Sequence, residues 1–393
     1  MKQIVKKVSR QLNNTRLTGL ATWAVESGIH LQQIPAPTFF EDERAAAVAV
    51  AFKQLGLVNI EIDDAKNVYG LLKGINRAIP ALMVCAHTDT VFPADTDLTI
   101  RREKDIIYGP GLGDNCMGVS GMLALAKWLH DEKIRPDCDI CFVATSCEEG
   151  LGDLKGIRAA FQRLQKQVGM VINLEGLAFG HIYHAGIAVH RMHITAKAEG
   201  GHSWLHFGRP SATHAIMELG AQITRIHPPS TPRTTFNIGM INGGKAINAI
   251  ATEAELWLDL RSEEQSSLDD IRKKVHNLIK LAERPGLSLT VEIVGSRPSG
   301  YISTRHPLVE GALQVLEQVN VRGSLETGST DGNIPLQAGC PTVTIGITRG
   351  SNAHRLDEYI ETAPVAAGLR QLIMLALSVT QYQREMHEKA AGD

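Results

Sequence analysis

Short, continuous apolar segments that alternate with helical patterns constrain the fold of this chain more than any other feature. Ala81–Ala86 (ALMVCA) and Ile140–Thr145 (ICFVAT) carry almost no polar side chains, which is typical of strands buried on both faces of a parallel sheet. Between them, residues 119–129 repeat apolar side chains at the three- and four-residue spacing of a helix. Strands that alternate with helices predict an α/β domain whose largely parallel sheet lies between helices.

The pattern changes in the middle of the chain, where single apolar residues alternate with polar or aromatic ones. Leu256, Leu258 and Leu260 are spaced in this way, and Pro228 and Pro285 end two amphipathic helical patterns. The predicted elements follow the order β-α-β-β-α-β of a ferredoxin-like domain. Because the α/β pattern returns after residue 296, we predict that residues 183–296 form an α+β domain inserted into one made of residues 1–182 and 297–393.

Composition and charge narrow the class of partner. The chain has 393 residues, 44% of them hydrophobic, which is enough for two cores. Forty Lys and Arg balance 42 Asp and Glu without a basic run, so we expect no nucleic-acid partner. No apolar run approaches the ~20 residues of a membrane helix, so we expect no membrane partner either. These features favour a small-molecule substrate.

The six cysteines lie mostly in apolar, strand-like segments, which favours reduced thiols and a cytoplasmic protein over a disulfide framework. Cys138 and Cys141 form a C-x-x-C pattern, which leaves a redox pair as an alternative. The surrounding residues alternate like a strand, and extended backbone would direct the two thiols to opposite faces. We therefore expect both to be structural.

Residues that bind metals in other proteins follow four of the predicted strands. A histidine or carboxylate beside one strand is more often structural, but sites in open α/β sheets form where the carboxyl ends of several strands meet. Convergence of these residues on one crevice is therefore the informative prediction. They are His87 and Asp89 after ALMVCA, Glu148 and Glu149 after CFVATSC, Glu175 after VINL, and His354 after VTIGI.

A glycine-rich segment, YGPGLGDNCMGVSG at residues 108–121, places Asp114 just before a predicted helix. Asp114 could be a helix N-cap, and for this segment alone that interpretation is favoured. A phosphate loop is disfavoured, because the segment has neither the Lys-Ser/Thr of a Walker motif nor the spacing of G-x-G-x-x-G.

Taken together, the motifs resemble those of the di-zinc exopeptidases and amino-acylases typified by carboxypeptidase G, acetylornithine deacetylase, succinyl-diaminopimelate desuccinylase and peptidase T. The similarity covers nearly the whole chain, and the motifs occur in the order and spacing of that family. They are HTDTVFP, GPGLGDNCMGVSGML, TSCEEGLGDLKG, NLEG, GGHSW and GSTDGNIPLQAGCPTVTIGITRGSNAHRLDEYIE.

The resemblance implies two divalent metal ions per subunit, zinc in the first instance, with cobalt or manganese as alternatives. Asp114 would bridge the two ions, with a cis peptide bond to Asn115. One ion would be completed by His87 and Glu175, and the other by Glu149 and His354.

Two further residues receive roles from the resemblance. Glu148 would be the general base that takes a proton from water. The carboxylate of Asp89 would orient the His87 ring by accepting its distal N–H.

The inserted domain would act as a lid and as the interface of a homodimer. By resemblance, His202 in GGHSW would reach the partner's site and stabilise the developing oxyanion. Asn248 and Arg261 would hold a substrate carboxylate. From the residues alone, His202 could equally be a polar residue at a hairpin end, and Arg261 a solvated residue on a polar strand face.

These implications predict a di-metal hydrolase that cleaves the amide bond of small peptides, as exopeptidases and di- or tripeptidases do. The alternative is an N-acyl-amino-acid deacylase or deacetylase. In the resembled family, aminopeptidase branches usually have Asp at the position of Glu175, whereas carboxypeptidase and deacylase branches have Glu. A third alternative is an inactive peptide-binding scaffold. Retention of every candidate metal ligand, and of Glu148, argues against loss of catalysis.

Overall fold

The computed structural model of the chain describes residues 1–12 and 16–392, which divide into two compact units. The first unit comprises Met1–Gly186 and Gly300–Asp393, and the second comprises Ile187–Ser299. The limits predicted for the inserted domain, 183 and 296, lie a few residues before the corresponding ends of the second unit.

Helices occupy much of both units. They are α1 (Lys2–Gln11), α2 (Leu17–Gln32), α3 (Asp42–Gln54), α4 (Met117–Asp131), α5 (Lys155–Leu164), α6 (Ala212–Ile223), α7 (Gln265–Ala282), α8 (Pro307–Gln318), α9 (Asn333–Gln337) and α10 (Val365–Gly392).

The strands of the described residues form four sheets. They are β1 (Val58–Ile62), β2 (Val68–Leu72), β3 (Ala81–His87), β4 (Arg101–Glu103), β5 (Ile106–Tyr108), β6 (Ile140–Thr145), β7 (Val168–Leu174), β8 (His181–Gly186), β9 (Ala188–Ala198), β10 (Gly201–His202), β11 (Thr234–Gly243), β12 (Ala249–Ile250), β13 (Glu253–Ser262), β14 (Leu287–Arg297), β15 (Gly300–Tyr301), β16 (Ser324–Gly328), β17 (Thr342–Ile345), β18 (Gly350–Ser351) and β19 (Tyr359–Glu361).

The main sheet of the first unit has the order β1-β2-β6-β3-β7-β17-β8-β15, with β16 beside β8. Strands β6, β3, β7 and β17 run parallel at its centre, and antiparallel pairs lie towards its edges. All residues of β3 and β6 are buried, as their unbroken apolar sequences predict. The predicted α/β class with a mostly parallel sheet is confirmed.

Parallel pairing brings the ends of β3, β6 and β7 to the same edge of the sheet. His87, the last residue of β3, lies opposite Thr145, the last residue of β6, and Glu175 directly follows β7. A smaller sheet, β18-β19-β5-β4, lies in the same unit and pairs the segment before Asp114 with the segment after His354. These two sheets position all the candidate metal ligands.

The second unit has an antiparallel sheet of order β11-β13-β9-β14, with α6 and α7 packed on it. Met192, Ile194 and Leu258 belong to the buried core, and the residues that alternate with them lie on the opposite face. There, His193 stacks on Trp257 with ring centroids 4.0 Å apart. The order β-α-β-β-α-β is confirmed, with two short additional strands, β10 and β12.

Helix α10 continues to Gly392, because QREMHEKAA contains no proline or glycine to end it. Burial raises the pKa of Cys138 to about 12 and that of Cys141 to about 11, which disfavours a redox pair. Within the described residues, no helix has the length and apolar character needed to cross a membrane.

Candidate metal centre

The ends of three buried strands, one glycine-rich turn and the segment between β18 and β19 bring the candidate ligands together. His87 is 2% exposed, and its Nδ1 donates to the backbone carbonyl of Asp89 over 3.1 Å. This hydrogen bond leaves Nε2 directed at Asp114 Oδ1, 3.1 Å away, and Glu175 Oε2, 3.6 Å away. One half of the centre therefore consists of an imidazole nitrogen and two carboxylate oxygens.

The second oxygen of Asp114 faces a different histidine. Asp114 Oδ2 lies 3.2 Å from His354 Nε2, which is also 3.0 Å from Glu149 Oε1. Asp114 thus lies between two groups of ligands, His87 with Glu175 and His354 with Glu149. This is the division that the resemblance implied, and the Asp114–Asn115 peptide bond is cis, as expected.

The charges at this cluster attract cations. Hydrogen bonds with Asp114 and Glu149 raise the pKa of His354 to about 10, although burial opposes the shift. Burial lowers the pKa of His87, but Glu175 and Asp114 outweigh it and hold that pKa well above its usual value. Three carboxylates in so small a space repel one another unless positive charge lies between them.

A pair of divalent ions fits these donors. Zinc takes imidazole nitrogen and carboxylate oxygen, and carboxylate-rich sites also accept cobalt or manganese. One ligand atom each from His87, Asp114 and Glu149 lie within 4.8 Å of one another. We therefore consider His87, Asp114 and Glu175 as candidates for one ion, and Asp114, Glu149 and His354 as candidates for the other.

Asp89 is fully buried and connects two of the ligand-bearing segments. Its Oδ1 accepts from the backbone N–H of Glu148 and its Oδ2 from that of Glu149, both over 2.9 Å. Its Oδ1 is 3.5 Å from His87 Nδ1, so the backbone carbonyl of Asp89, not its carboxylate, makes the closer contact with the ring. The predicted position beside His87 is observed, but the carboxylate mainly holds the Glu148–Glu149 backbone.

Glu148 is 6% exposed and directly precedes the candidate ligand Glu149. Its side chain is buried, and its role as general base stays a prediction.

Three residues that hold these segments, of which Asn115 and Glu358 are buried, were missed in the sequence. Asn115 donates to the carbonyl of Leu174 and accepts from the N–H of Gly176, both over 2.8 Å, so it fixes the backbone on both sides of Glu175. Thr38 donates to Asp89 over 2.8 Å. Glu358 accepts from the turn that carries Asp114, and burial raises its pKa to about 7.

The sequence contained only weak signals for them. Asn115 follows Asp114, and Glu358 lies within the motif that contains His354. Thr38 lies in a segment for which no role was inferred.

The remaining predicted site residues, His202, Asn248 and Arg261, belong to the second unit. His202 is exposed at the end of β10, and its Nδ1 accepts from the backbone N–H of Trp204 over 3.2 Å. Asn248 is exposed beside β12, and its carbonyl accepts from Ser203. Arg261 donates to Asp259 over 2.6 Å, so its guanidinium already has a carboxylate partner within this unit.

Comparisons with known proteins identify similar chains. An acetylornithine deacetylase from Edwardsiella ictaluri (strain 93-146) is 26% identical over 408 residues, which cover 92% of this chain and 91% of that relative. A tripeptidase from Staphylococcus aureus subsp. aureus Mu50 has a similar structure, with a TM-score of 0.78 and 21% identity over 94% of this chain and 99% of that one. The YXEP protein of Bacillus subtilis, described as a dinuclear metal-binding peptidase, gives a TM-score of 0.66 and 15% identity over 93% and 99%.

The two structural similarities establish the fold, and the family follows from the sequence. The profile of peptidase family M20/M25/M40 matches residues 83–378, which include every candidate metal ligand and the whole second unit. The chain is therefore a member of peptidase family M20/M25/M40 and a metallohydrolase that acts on amide bonds.

Proposed function

We propose that this protein is a di-metal exopeptidase that cleaves the amide bond of small peptides, such as di- or tripeptides. The observation that carries the proposal is the position of Asp114, whose two oxygens face two different histidines. Each histidine has a second carboxylate beside it, Glu175 or Glu149. A carboxylate placed in this way can bridge two cations a few ångströms apart.

When bound, two divalent ions would polarise the scissile carbonyl and promote ionisation of a water molecule. The chain's own residues supply the proton transfer. Glu148 would accept the proton of the attacking water and donate it to the departing amine. The hydrogen bond that His87 Nδ1–H donates to the carbonyl oxygen of Asp89 keeps Nε2 available as a ligand atom.

A deacylase of N-acyl amino acids is the second candidate, and one observation favours it. The acetylornithine deacetylase from Edwardsiella ictaluri matches over nearly the full length of both chains. Residue 175 is Glu, as in carboxypeptidase and deacylase branches of the resembled family, so this residue disfavours an aminopeptidase and is compatible with both candidates. Both candidates use the same cluster and differ in the group on the acyl side of the bond.

A substrate screen distinguishes these candidates. Protein reconstituted with Zn²⁺, Co²⁺ or Mn²⁺ would be assayed against dipeptides, tripeptides and N-acetyl amino acids. Glu148→Gln should lower kcat by about 10² to 10⁴-fold while both metal equivalents stay bound. Glu43→Gln, which changes an exposed glutamate on α3, is the matched control and should keep full activity.

The outcomes are separable. Preference for peptides supports the exopeptidase, and preference for N-acetyl amino acids supports the deacylase. Metal binding without turnover of either class would favour the inactive scaffold. A Glu148→Gln variant with parental kcat would contradict the proposed general base.

We also propose a homodimer formed through the second unit, with His202 completing the partner's site. Apolar side chains next to His202 are strongly exposed: Trp204 by 84%, Phe207 by 92% and Ile247 by 103%. A second copy of the chain would remove part of this apolar surface from water. Mixing inactive Glu148→Ala and His202→Ala proteins should then restore activity, because a hybrid dimer can contain one complete site. Proven subunit exchange without restored activity would contradict the shared site.

Two further proposals concern substrate and location. Asn248 and Arg261 would hold the free carboxylate of the substrate, for which the guanidinium of Arg261 is suited by its paired donors. A cytoplasmic location is supported by six cysteines that form no disulfide.

A further inference from the structure

Glu358 is a buried carboxylate whose side chain is surrounded by backbone N–H groups of the turn that carries Asp114. It has no exposed surface. Its Oε1 accepts from the N–H of Gly113 over 2.6 Å and from that of Asp114 over 3.0 Å. Its Oε2 accepts from the N–H of Gly111 over 3.0 Å. One side chain therefore satisfies three donors within four consecutive residues.

The shape of this turn requires glycine at two positions, Gly111 and Gly113. Gly111 has a φ of 72°, a value that favours glycine. A Cβ on Gly113 would lie 2.5 Å from the Leu177 side chain. Three N–H groups aimed at one point form a concave anion-binding surface, and a carboxylate from another part of the chain fills it. The turn is thus shaped to receive an anion, and Glu358 is that anion.

The segment that carries Glu358 also carries His354, a candidate ligand of the second metal ion. Glu358 lies four residues after His354 and directly before β19. Its carbonyl accepts from the N–H of Gly109 over 2.9 Å. Tyr359 pairs with Tyr108 in the β5–β19 ladder. Side chain and backbone therefore join the His354 segment to the Asp114 turn.

We propose that Glu358 is a positioning residue that holds Asp114 at the bridging point between His87 and His354. The proposal rests on the di-metal function proposed above. Glu358 contacts no candidate ligand atom in the described hydrogen bonds, and it acts through the backbone that presents Asp114. Without it, three backbone N–H groups of the turn lose their acceptor at once, and the two Asp114 oxygens lose their alignment.

Only a carboxylate meets the geometric requirement. Its two oxygens accept three N–H groups, whereas an amide has one acceptor oxygen and would direct its own N–H groups at backbone donors. Glu358→Gln therefore keeps the size of the side chain but leaves at least one buried donor without an acceptor. Glu358→Asp keeps both oxygens and the charge, but the shorter side chain withdraws them from the turn.

The test compares Glu358→Gln and Glu358→Asp with Glu361→Gln. Glu361 lies on β19 and, among the described residues, its carboxylate makes no hydrogen bond to the Asp114 turn. Metal-free proteins would be titrated with Zn²⁺ and Co²⁺, and the absorption spectrum of the Co²⁺ forms recorded. Circular dichroism of the metal-free proteins reports whether each variant folds.

We expect Glu358→Gln to weaken binding of at least one metal ion by about 10- to 100-fold and to change the Co²⁺ spectrum. At saturating metal, kcat should fall while KM stays within about twofold of the parent, because the change affects the position of the ions more than substrate contacts. Glu358→Asp should lie between the parent and Glu358→Gln, and Glu361→Gln should match the parent.

Parental metal affinity and an unchanged Co²⁺ spectrum in a folded Glu358→Gln variant would overturn the positioning role alone. Failure of the parent to bind two metal ions would overturn the di-metal function and this role with it. If Glu358→Gln does not fold, Glu358→Asp decides by the same titration. A metal affinity below that of the parent supports the role, and parental affinity refutes it.

Discussion

Asp89→Asn should destabilise the first unit, because the carboxylate of Asp89 is fully buried and accepts three hydrogen bonds from two segments. Oδ2 accepts from Thr38 Oγ1 over 2.8 Å and from the Glu149 N–H over 2.9 Å. Oδ1 accepts from the Glu148 N–H over 2.9 Å. Burial raises the pKa of Asp89, but His87 and the two N–H donors outweigh it and hold the pKa below its usual value.

The expected loss in free energy of unfolding follows from the number of acceptors that Asn retains. Asparagine can place its one oxygen at the Oδ2 position and keep two bonds, but its NH₂ then faces the N–H of Glu148. A buried donor without an acceptor costs about 1 to 3 kcal/mol, and each retained bond weakens by about 1 kcal/mol when the acceptor loses its charge. Asparagine carries no charge, so the variant avoids the cost of removing a carboxylate from water, and this offsets part of the loss. We expect the free energy of unfolding to fall by about 2 to 4 kcal/mol.

The assay must report on the first unit. Two of the four tryptophans, Trp204 and Trp257, lie in the second unit. Replacing both with Phe leaves tryptophan fluorescence only in the first unit, whose urea unfolding can then be followed in the metal-free protein. Asp97→Asn is the matched control, because Asp97 is exposed and its carboxylate accepts from the nearby N–H of Thr99. That variant should change stability by less than about 0.5 kcal/mol.

A loss below about 1 kcal/mol for Asp89→Asn would refute the reasoning. It would mean that the Glu148–Glu149 backbone is held by other contacts. A large loss shared by Asp97→Asn would also count against it, because the effect would then follow from removing any aspartate charge.

The other predictions concern packing, a buried amide and the substrate. Gly176→Ala should lower the free energy of unfolding by about 1 to 3 kcal/mol, because its Cβ would lie 2.2 Å from a backbone oxygen. Gly19→Ala is the control: Gly19 has open space around it in α2, so this change should raise the free energy of unfolding by about 0.5 to 1 kcal/mol in the same urea assay. Asn115→Asp should weaken metal binding in a Zn²⁺ titration, because a carboxylate oxygen would then face the Leu174 carbonyl. Arg261→Lys should lower kcat/KM for substrates with a free carboxylate, and the parent should turn over their C-terminal amides slowly; equal turnover of both forms by the parent would contradict a carboxylate clamp.

The candidate ligands could be predicted because each depends on a local pattern. His87 and Glu175 directly follow buried apolar strands, and the rule that carboxyl ends of parallel strands share one edge brings them together. Asp114 depends on a glycine-rich turn that is visible in the sequence. The resemblance then assigned the two metal ions, and the structure brings these side chains within contact distance.

The residues that hold the ligands were harder to predict, because their contacts link distant parts of the chain. Glu358 lies 244 positions from Asp114, and Thr38 lies 51 positions from Asp89. No periodicity marks such pairs, since they depend on the register of the β5–β19 and main-sheet ladders. The roles of His202, Asn248 and Arg261 stay predictions, because each depends on a substrate or a partner subunit.

Asp89 and Glu358 hold two different ligand-bearing segments in the same way. Each is a buried carboxylate that accepts backbone N–H groups from a segment that carries candidate metal ligands. This fixes the ligands without using the ligand atoms themselves, but it places two more carboxylates in a region that already contains Asp114, Glu149 and Glu175. Repulsion among these groups disfavours the metal-free fold, and divalent cations would relieve it. Metal binding should therefore also stabilise the fold, by an amount that grows with the logarithm of the free metal concentration above Kd.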